Sequence, residues 1–338
     1  METREKIVII GGGFAGLQLA KALNKKRKKV IVIDKVNHHM FQPLFYQVAC
    51  GRIEPSNISF PFRKIFQRSR NIQFRMVEVQ KILPEQNKII TEDAEFTYDK
   101  LVIATGCKTN FFGNSKMQDL TYGMKNTQEA IAIRNNILLT FEKLIIEKRR
   151  SDDGNWNIVI VGSGPTGVEL AGAFAEMKKD ILPRDYPNMN FNDLQIILIS
   201  STEKPLNVMS KEAQEKSELY LKELGVHFMS GEFVTDYDGD QVTMKSGKTI
   251  KSNNVIWAAG VTGNVIEGLN PEIIVRNRYK TDRFNRVQGY KNIFAIGDIA
   301  YMETPKYPEA HPQVANVAIN QGTNLASNLL KNSENNWE

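Results

Sequence analysis

Residues 6–34 read KIVIIGGGFAGLQLAKALNKKRKKVIVID, and this stretch decides the fold. KIVII (6–10) is a short apolar run, the pattern of a buried parallel strand. Gly11-Gly12-Gly13-Phe14-Ala15-Gly16 follows and matches G-x-G-x-x-G. Phe14, Leu17, Ala20 and Leu23 then recur at helical spacing, VIVI (30–33) is a second apolar run, and Asp34 closes it. A lone glycine motif says little. Strand, glycines, helix, strand and terminal acid in one short unit specify a dinucleotide-binding fold. Gly11 and Gly13 permit the tight turn and close approach of a pyrophosphate, and Gly16 lets helix and strand pack closely. The helix N-terminus receives phosphate charge, and Asp34 can hold ribose hydroxyls.

The pattern returns. NIVIV (157–161) leads into Gly162-Ser163-Gly164-Pro165-Thr166-Gly167, a helical VELAGAFAEM and a strand QIILI (195–199). Here the acid is missing, and Ser200-Ser201-Thr202 stands in its place. Two such folds imply two dinucleotides, and hydride chemistry between a flavin and a nicotinamide needs both. LVIATG (101–106) and VIWAAG (255–260) are strands ending in small residues, which allow close passage by a cofactor. NIFAIGDIA (292–300) is expected to set Asp298 at a strand end, immediately before a helix opened by Pro312. In that helix Ala315, Ala318, Ile319 and Gly322 form a small-residue stripe, with Asn316 and Asn320 one turn apart on its edge.

These residues resemble the two-dinucleotide-binding flavoproteins, and more closely the type II NADH dehydrogenases, single-subunit NADH:quinone oxidoreductases. The resemblance covers nearly the whole chain. It rests on IIGGGFAGLQLA (9–20), VIDKVNHHMFQPLFYQVACG (32–51), LVIATG, IVIVGSGPTGVELAGAFAEM (158–177), IWAAGV (256–261), FAIGDIA (294–300) and HPQVANVAINQG (311–322). It implies an α/β fold of two Rossmann-like domains, the second inserted into the first. FAD would lie on the first, with Gly11, Gly13, Phe14, Ala15 and Gly16 at the pyrophosphate and Asp34 at the ribose. Val79, in a strand-like FRMVEV (74–79), would meet the adenine, Ala104, Thr105 and Gly106 would lie along the FAD, and Asp298 and Ala315 would complete its site. NADH, with NADPH possible, would sit at Gly162, Gly164, Pro165, Thr166, Gly167 and Ser200, with Glu169 and Gly260 near the nicotinamide. Electrons would then pass to a quinone near Asn316, Asn320 and Gln321, with no side-chain nucleophile.

The chain departs from the family pattern in four places. Ser200 replaces the usual ribose-binding Glu, with Lys204 four residues on. Loss of that acid removes a repulsion against a 2′-phosphate, unless Glu203 supplies it from the loop. Ala173 stands where some relatives carry a Glu near the quinone, and Glu176 lies almost a turn further on. Asn316 and Asn320 are each one methylene shorter than the usual glutamines. Finally, the family continues for roughly a hundred residues, the size of a small domain, with membrane-binding helices. This chain ends at Asn335-Asn336-Trp337-Glu338, so a fragment is expected.

Length and composition agree with two ordinary soluble domains: 338 residues, 41% hydrophobic and 24% charged. We expect an FAD domain at 1–115 and 290–338, a helical connection at 116–155 with a turn at Asp152-Asp153-Gly154, a NAD(P)H domain at 156–262 and a return segment at 263–289. The net charge of +6 is partly local, in Lys25-Lys26-Arg27-Lys28-Lys29, in Arg63, Lys64, Arg68 and Arg70, and in Lys148-Arg149-Arg150. Such clusters read either as solvated loops or as attraction to an anionic membrane surface. Nucleic acid is disfavoured, because no cluster carries interleaved aromatics. Two cysteines, Cys50 and Cys107, suit a reducing compartment and supply no C-x-x-C pair, which disfavours a disulfide reductase. His38-His39 lacks a Cys or acidic cluster nearby, so no metal is expected. With no membrane-length run and a strand within six residues of the start, the chain itself is expected to be soluble and cytoplasmic. The full-length protein would be peripheral on the cytoplasmic membrane face, with a homodimer left open. A ferredoxin- or rubredoxin-type reductase and a non-enzymatic NADH-responsive flavoprotein are the rival readings.

Overall fold

The structure, a computed structural model, describes residues 4–147, 154–331 and Trp337. The Lys148-Arg149-Arg150 cluster, the Asp152-Asp153 part of the expected turn and most of the last four residues lie outside the described residues. The chain forms two compact units: Met1–Met40, Ser59–Lys108 and Thr262–Glu338 in one, Phe41–Ile58 and Thr109–Val261 in the other. This grouping differs from the sequence division in assigning residues 41–58, 109–115 and the 116–155 connection to the second unit and residues 262–289 to the first.

In chain order the elements that matter are β1 (Lys6–Ile10), α1 (Phe14–Ala22), β2 (Lys29–Asp34), β3 (Ile72–Met76) and β4 (Lys100–Ile103), followed by α2 (Thr127–Glu147). After them come β5 (Ile158–Val161), α3 (Pro165–Asp180), β6 (Ile196–Ile199), β7 (His227–Met229), β8 (Asn254–Trp257), β9 (Ile293–Ala295) and α4 (Ala315–Leu330).

The first unit is built on a parallel sheet of order β9-β4-β1-β2-β3. Successive side chains point to opposite faces, and both faces are covered, so the strands read as unbroken apolar runs. Ile7, Ile9, Val30, Val32 and Val102 pack on one face with Leu17, Leu19 and Leu325 of the helices. Val8, Ile10, Ile31, Ile33, Leu101 and Ile103 pack on the other. The stretch FRMVEV is not one strand. It divides between β3, ending at Met76, and an antiparallel strand Val79–Leu83. Val77 donates its N–H to the Asp34 carbonyl at 2.9 Å, and the chain then leaves the parallel sheet. Local β-propensity does not record that change of sheet.

The second unit repeats the plan, with a parallel sheet of order β7-β6-β5-β8. Val159, Val161, Ile197, Ile199, Val255 and Trp257 face one core with Val242 and Met244 of a small antiparallel sheet. α3 buries Leu170, Ala171, Phe174 and Met177. No helix among the described residues is long and apolar enough to cross a membrane.

Two expectations about the C-terminal segment are corrected. Asp298 lies in a single 3-10 turn, Gly297–Ile299, and a short strand Ala300–Tyr301 and a loop separate it from α4. Pro312 does not open that helix, which begins at Ala315 behind an extended Val314. Pro305, Pro308 and Pro312, each lacking an N–H and pushing its predecessor out of helical geometry, keep the intervening loop from joining the helix.

Candidate functional site

Each glycine turn crosses from its first strand into its helix with the same hydrogen bonds. Gly11 N–H donates to Ile33 O at 2.7 Å and Gly162 N–H to Ile199 O at 2.8 Å. The first glycine of each has φ near +105°, the left-handed region that favours glycine: 103° at Gly11 and 107° at Gly162. A Cβ there would fall 2.3 Å from Ala104 O, or 2.6 Å from Ala258 O. The third glycine is equally constrained, since a Cβ on Gly16 or Gly167 would fall 1.9 or 1.8 Å from the carbonyl of the first.

Gly13 and Gly164 are different. Their φ values are −65° and −69°, open to any residue, and a Cβ on either would meet nothing within 4 Å. Each is the N-cap of its helix, and neither makes a side-chain cap. Ser, Thr, Asp or Asn would ordinarily satisfy a first-turn N–H there. Protein packing therefore does not account for glycine at these two positions. Each leaves open space beside a positive helix end, where a phosphate can approach the backbone. This is the fit expected for one dinucleotide in each unit.

The rest of the first site gathers around α1. Asp34 Oδ2 accepts the Gly12 N–H at 2.7 Å and Oδ1 accepts the Val36 N–H at 3.0 Å. Burial raises its pKa against those two bonds. Each carboxylate oxygen keeps acceptor capacity for a ribose hydroxyl. Thr105 and Gly106 are tied to Asn264: Thr105 Oγ1 donates to Asn264 O at 2.7 Å, Asn264 Nδ2 donates to Thr105 O at 3.0 Å, and Asn264 N donates to Gly106 O at 3.1 Å. Gly297, at φ 75°, brings its turn against Ala15 of α1 and Ala318 of α4, where a Cβ would lie 3.1 and 3.4 Å from theirs. Cys107 Sγ donates to Asp298 Oδ2 at 3.0 Å, and Gln313 Nε2 to Asp298 O at 2.9 Å. Ala315 is the first residue of α4. Val79 is partly buried against the second face of the sheet.

The small-residue stripe of α4 faces α1. A Cβ on Gly322 would fall 2.6 Å from Ala15 O, and Gln18 donates to Thr323 at 3.1 Å. Asn316 and Asn320 are exposed. Gln321 is buried, and its Oε1 accepts the Gly297 N–H at 2.7 Å. Through that bond the Gln321 amide oxygen braces the turn that carries Asp298.

In the second unit Ser200 stands one residue beyond the Val161–Ile199 pair, as Asp34, the last residue of β2, stands one beyond the Ile10–Ile33 pair. Its hydroxyl is buried between Ser163 Oγ at 2.6 Å and Thr202 Oγ1 at 2.9 Å. Lys204 is exposed and paired with Glu218 at 2.5 Å, and Glu203 is exposed beside Gly231. Glu169 is partly buried on α3, and burial raises its pKa. Gly260 O accepts the Asn110 N–H at 3.0 Å, and the ring of Phe112 lies 3.3 Å from where its Cβ would be. Ala173 is buried, while Glu176 pairs with Arg52 at 2.7 Å.

Sequence reasoning missed His39 as a brace. Its ring is buried, Nδ1 lies 2.9 Å from Gly12 O, and it meets the Phe14 ring edge-on at 5.2 Å. Only a protonated Nδ1 can donate to that carbonyl. Burial lowers its pKa, keeping the imidazole neutral. The double histidine was the visible signal. For Asn264, 159 residues from Thr105, no local signal exists. Among the described residues no His, Cys, Asp or Glu cluster could hold a metal, and neither cysteine is in a disulfide.

The pyridine nucleotide-disulphide oxidoreductase family model matches residues 5–322. A type II NADH:quinone oxidoreductase, Ndh, of Mycobacterium tuberculosis is 32% identical over 97% of this chain and 72% of its own length. The Staphylococcus aureus type II NADH:quinone oxidoreductase is 26% identical over 98% and 83%. The structure of NDH2 from Plasmodium falciparum in complex with NADH superposes with a TM-score of 0.90 at 20% identity, covering 99% of this chain and 85% of that one. At that identity the likeness is one of fold.

Proposed function

This chain belongs to the pyridine nucleotide-disulphide oxidoreductase family and, within it, to the type II NADH:quinone oxidoreductases, and on that premise we propose that it passes reducing equivalents from NADH through FAD to a quinone without pumping protons. The observation that carries the reading is the pair of uncapped glycines, Gly13 and Gly164, each facing open space at a helix N-terminus. In the first unit Gly11, Gly13 and Gly16 shape the FAD pyrophosphate cradle, and the N–H groups of Phe14 and Ala15 face the phosphate. Asp34 holds the adenosine ribose, and Val79 meets the adenine by its backbone. Ala104, Thr105, Gly106, Asp298 and Ala315 line the remainder. In the second unit Gly162, Gly164 and Gly167 cradle the NADH pyrophosphate. Pro165 lacks an N–H, so Thr166 and Gly167 supply the donors. Glu169 and Gly260 stand at the nicotinamide end.

When bound, the flavin would supply the redox chemistry that links a nicotinamide hydride donor to a quinone acceptor. The protein's part is to bind, orient and brace. His39 and Gln321 fix the two turns of the FAD site, and Asn316 and Asn320 offer exposed amides to the quinone. A bilayer-dissolved quinone as acceptor would make a membrane surface the partner, and we place the full-length protein at its cytoplasmic face. A homodimer remains part of the proposal.

Ser200 in the register of Asp34 removes a carboxylate that would repel a 2′-phosphate. We expect NADPH to be accepted appreciably, and Ser200→Glu to suppress it. The check is kcat/KM for both nucleotides with short-chain quinone and ferredoxin as alternative acceptors. A strong NADH preference that Ser200→Glu leaves unchanged contradicts the role of Ser200, and turnover with ferredoxin but no quinone contradicts the acceptor.

A further inference from the structure

Three hydroxyls of the second unit form an unbroken chain behind its glycine turn. Ser163 Oγ lies 2.6 Å from Ser200 Oγ, Ser200 Oγ lies 2.9 Å from Thr202 Oγ1, and Thr202 Oγ1 donates to Lys204 O at 2.9 Å. The Thr202 N–H also donates to Ser200 Oγ at 3.1 Å. A carbonyl only accepts, so the single Thr202 hydroxyl proton belongs to Lys204 O. Ser200 must then donate to Thr202, and Ser163 to Ser200, since each hydroxyl has one proton. The chain therefore runs one way, from Ser163 to Lys204 O.

The remaining capacity separates the two serines. Ser200 donates once and accepts twice, which is all a hydroxyl can do, and it is 3% exposed. It has nothing left to offer a ligand. Ser163 donates once, and among the described residues nothing donates to it, so its oxygen keeps two free acceptor positions. It stands in the turn between Gly162 and Gly164, where the open side of Gly164 lies at the N-terminus of α3. In the first unit the matching residue is Gly12, whose N–H meets the Asp34 carboxylate. A side chain is excluded there, because a Cβ on Gly12 would fall 2.1 Å from the Phe62 ring. The second unit thus replaces a glycine and a carboxylate with a bonded pair of serines.

We propose that Ser163 is the residue that reads the adenosine ribose of NADH, accepting a hydrogen bond from the 2′-hydroxyl, with Ser200 and Thr202 setting the direction of its own proton. The inference rests on the reading of the second unit as the NADH site and adds to it the group that makes the contact. A ribose hydroxyl carries a proton and meets a free acceptor. A 2′-phosphate, close to dianionic at neutral pH, carries acceptors and meets another acceptor. It is disfavoured until the chain turns round. Turning round points Ser163 at the phosphate, Ser200 at Ser163 and Thr202 at Ser200, and it strips Lys204 O of its hydroxyl partner. The penalty is one hydrogen bond, about fivefold in affinity, in place of the like-charge repulsion that a carboxylate exerts. Discrimination against NADPH is thereby mild, and Thr202, which stands behind the contact, sets it.

The experiment is calorimetric titration of the FAD-loaded protein with three redox-inert probes: ADP-ribose, 2′-deoxy-ADP-ribose and 2′-phospho-ADP-ribose. The parent should bind ADP-ribose about fivefold more tightly than the 2′-deoxy analogue, and Ser163→Ala should erase that difference. Thr202→Val should raise the affinity for 2′-phospho-ADP-ribose relative to ADP-ribose by about fivefold over the parent, because reversing the chain then costs no bond. Thr202→Ser keeps the hydroxyl and should keep the parental ratio. Should Ser163→Ala fail to fold, Ser163→Gly, which copies Gly12, carries the same expectation. A 2′-hydroxyl preference that survives at Ser163→Ala, an equal weakening of all three probes there, or a Thr202→Val ratio equal to the parent's would each overturn the proposal, as would a parent that does not bind ADP-ribose. The expected probe preferences in a protein whose flavin NADH does not reduce would count against the catalytic reading alone.

Discussion

Gly13 separates a binding role from a folding role. Its backbone suits any residue and its N-cap position favours Ser. Gly13→Ser should therefore stabilise the FAD-free protein by about 0.5 kcal/mol. The same change should weaken FAD binding by at least about tenfold, because a side chain enters the cradle and a charged hydrogen bond is lost. Thermal melts and flavin titration read the two effects with opposite sign. Gly11→Ala, at φ 103° and against Ala104 O, should lower both stability and flavin affinity. His39 makes a pH-dependent contribution. Its folded pKa lies below the ordinary 6.5, so its stabilisation is complete above that value and drains away as pH falls toward the folded pKa. His39→Gln should cost about 1 kcal/mol at neutral pH and flatten the fall in melting temperature on acidification. An unchanged slope would mean that the imidazole does not stay neutral against Gly12 O.

Helices α1 and α4 show what the small-residue stripe is for. Gly322 of α4 sits on the backbone of α1 at Ala15, so Gly322→Val should destabilise by about 1–3 kcal/mol in a chemical melt. Gly172 of α3 is a control within a helix: its Cβ would meet only Leu224 Cδ1 at 3.8 Å. Gly172→Ala should stabilise by up to about 1 kcal/mol. The stripe was legible in the sequence, but its partner was not. Periodicity states that a face is small, and contact with a helix three hundred residues earlier is a tertiary fact. The same limit explains FRMVEV, where continuous β-formers conceal a change of sheet. The loop between Asp298 and α4 had its signal in three prolines, outweighed in the reading by the nearness of Asp298 to the helix.

The whole molecule is one dinucleotide-binding plan used twice. Strand, glycine turn, helix and second strand are neighbours in sequence, so both copies were readable from local pattern, and Ser200 was correctly placed at the end of its strand. The braces of the site were hidden, because His39 with Gly12, Asn264 with Thr105 and Gln321 with Gly297 pair across long chain separations. Two of the basic clusters were visible in the sequence, but only folding brings Arg4, Lys25–Arg27, Arg68 and Arg70 together. The central claim is that the two cradles hold a flavin and a nicotinamide that work in sequence toward a quinone. Stopped-flow absorbance of the FAD-loaded protein tests it most directly, with NADH mixed first and a short-chain quinone second. The account predicts full bleaching of the flavin by NADH and prompt recovery with quinone. Full bleaching followed by no recovery with quinone would contradict it.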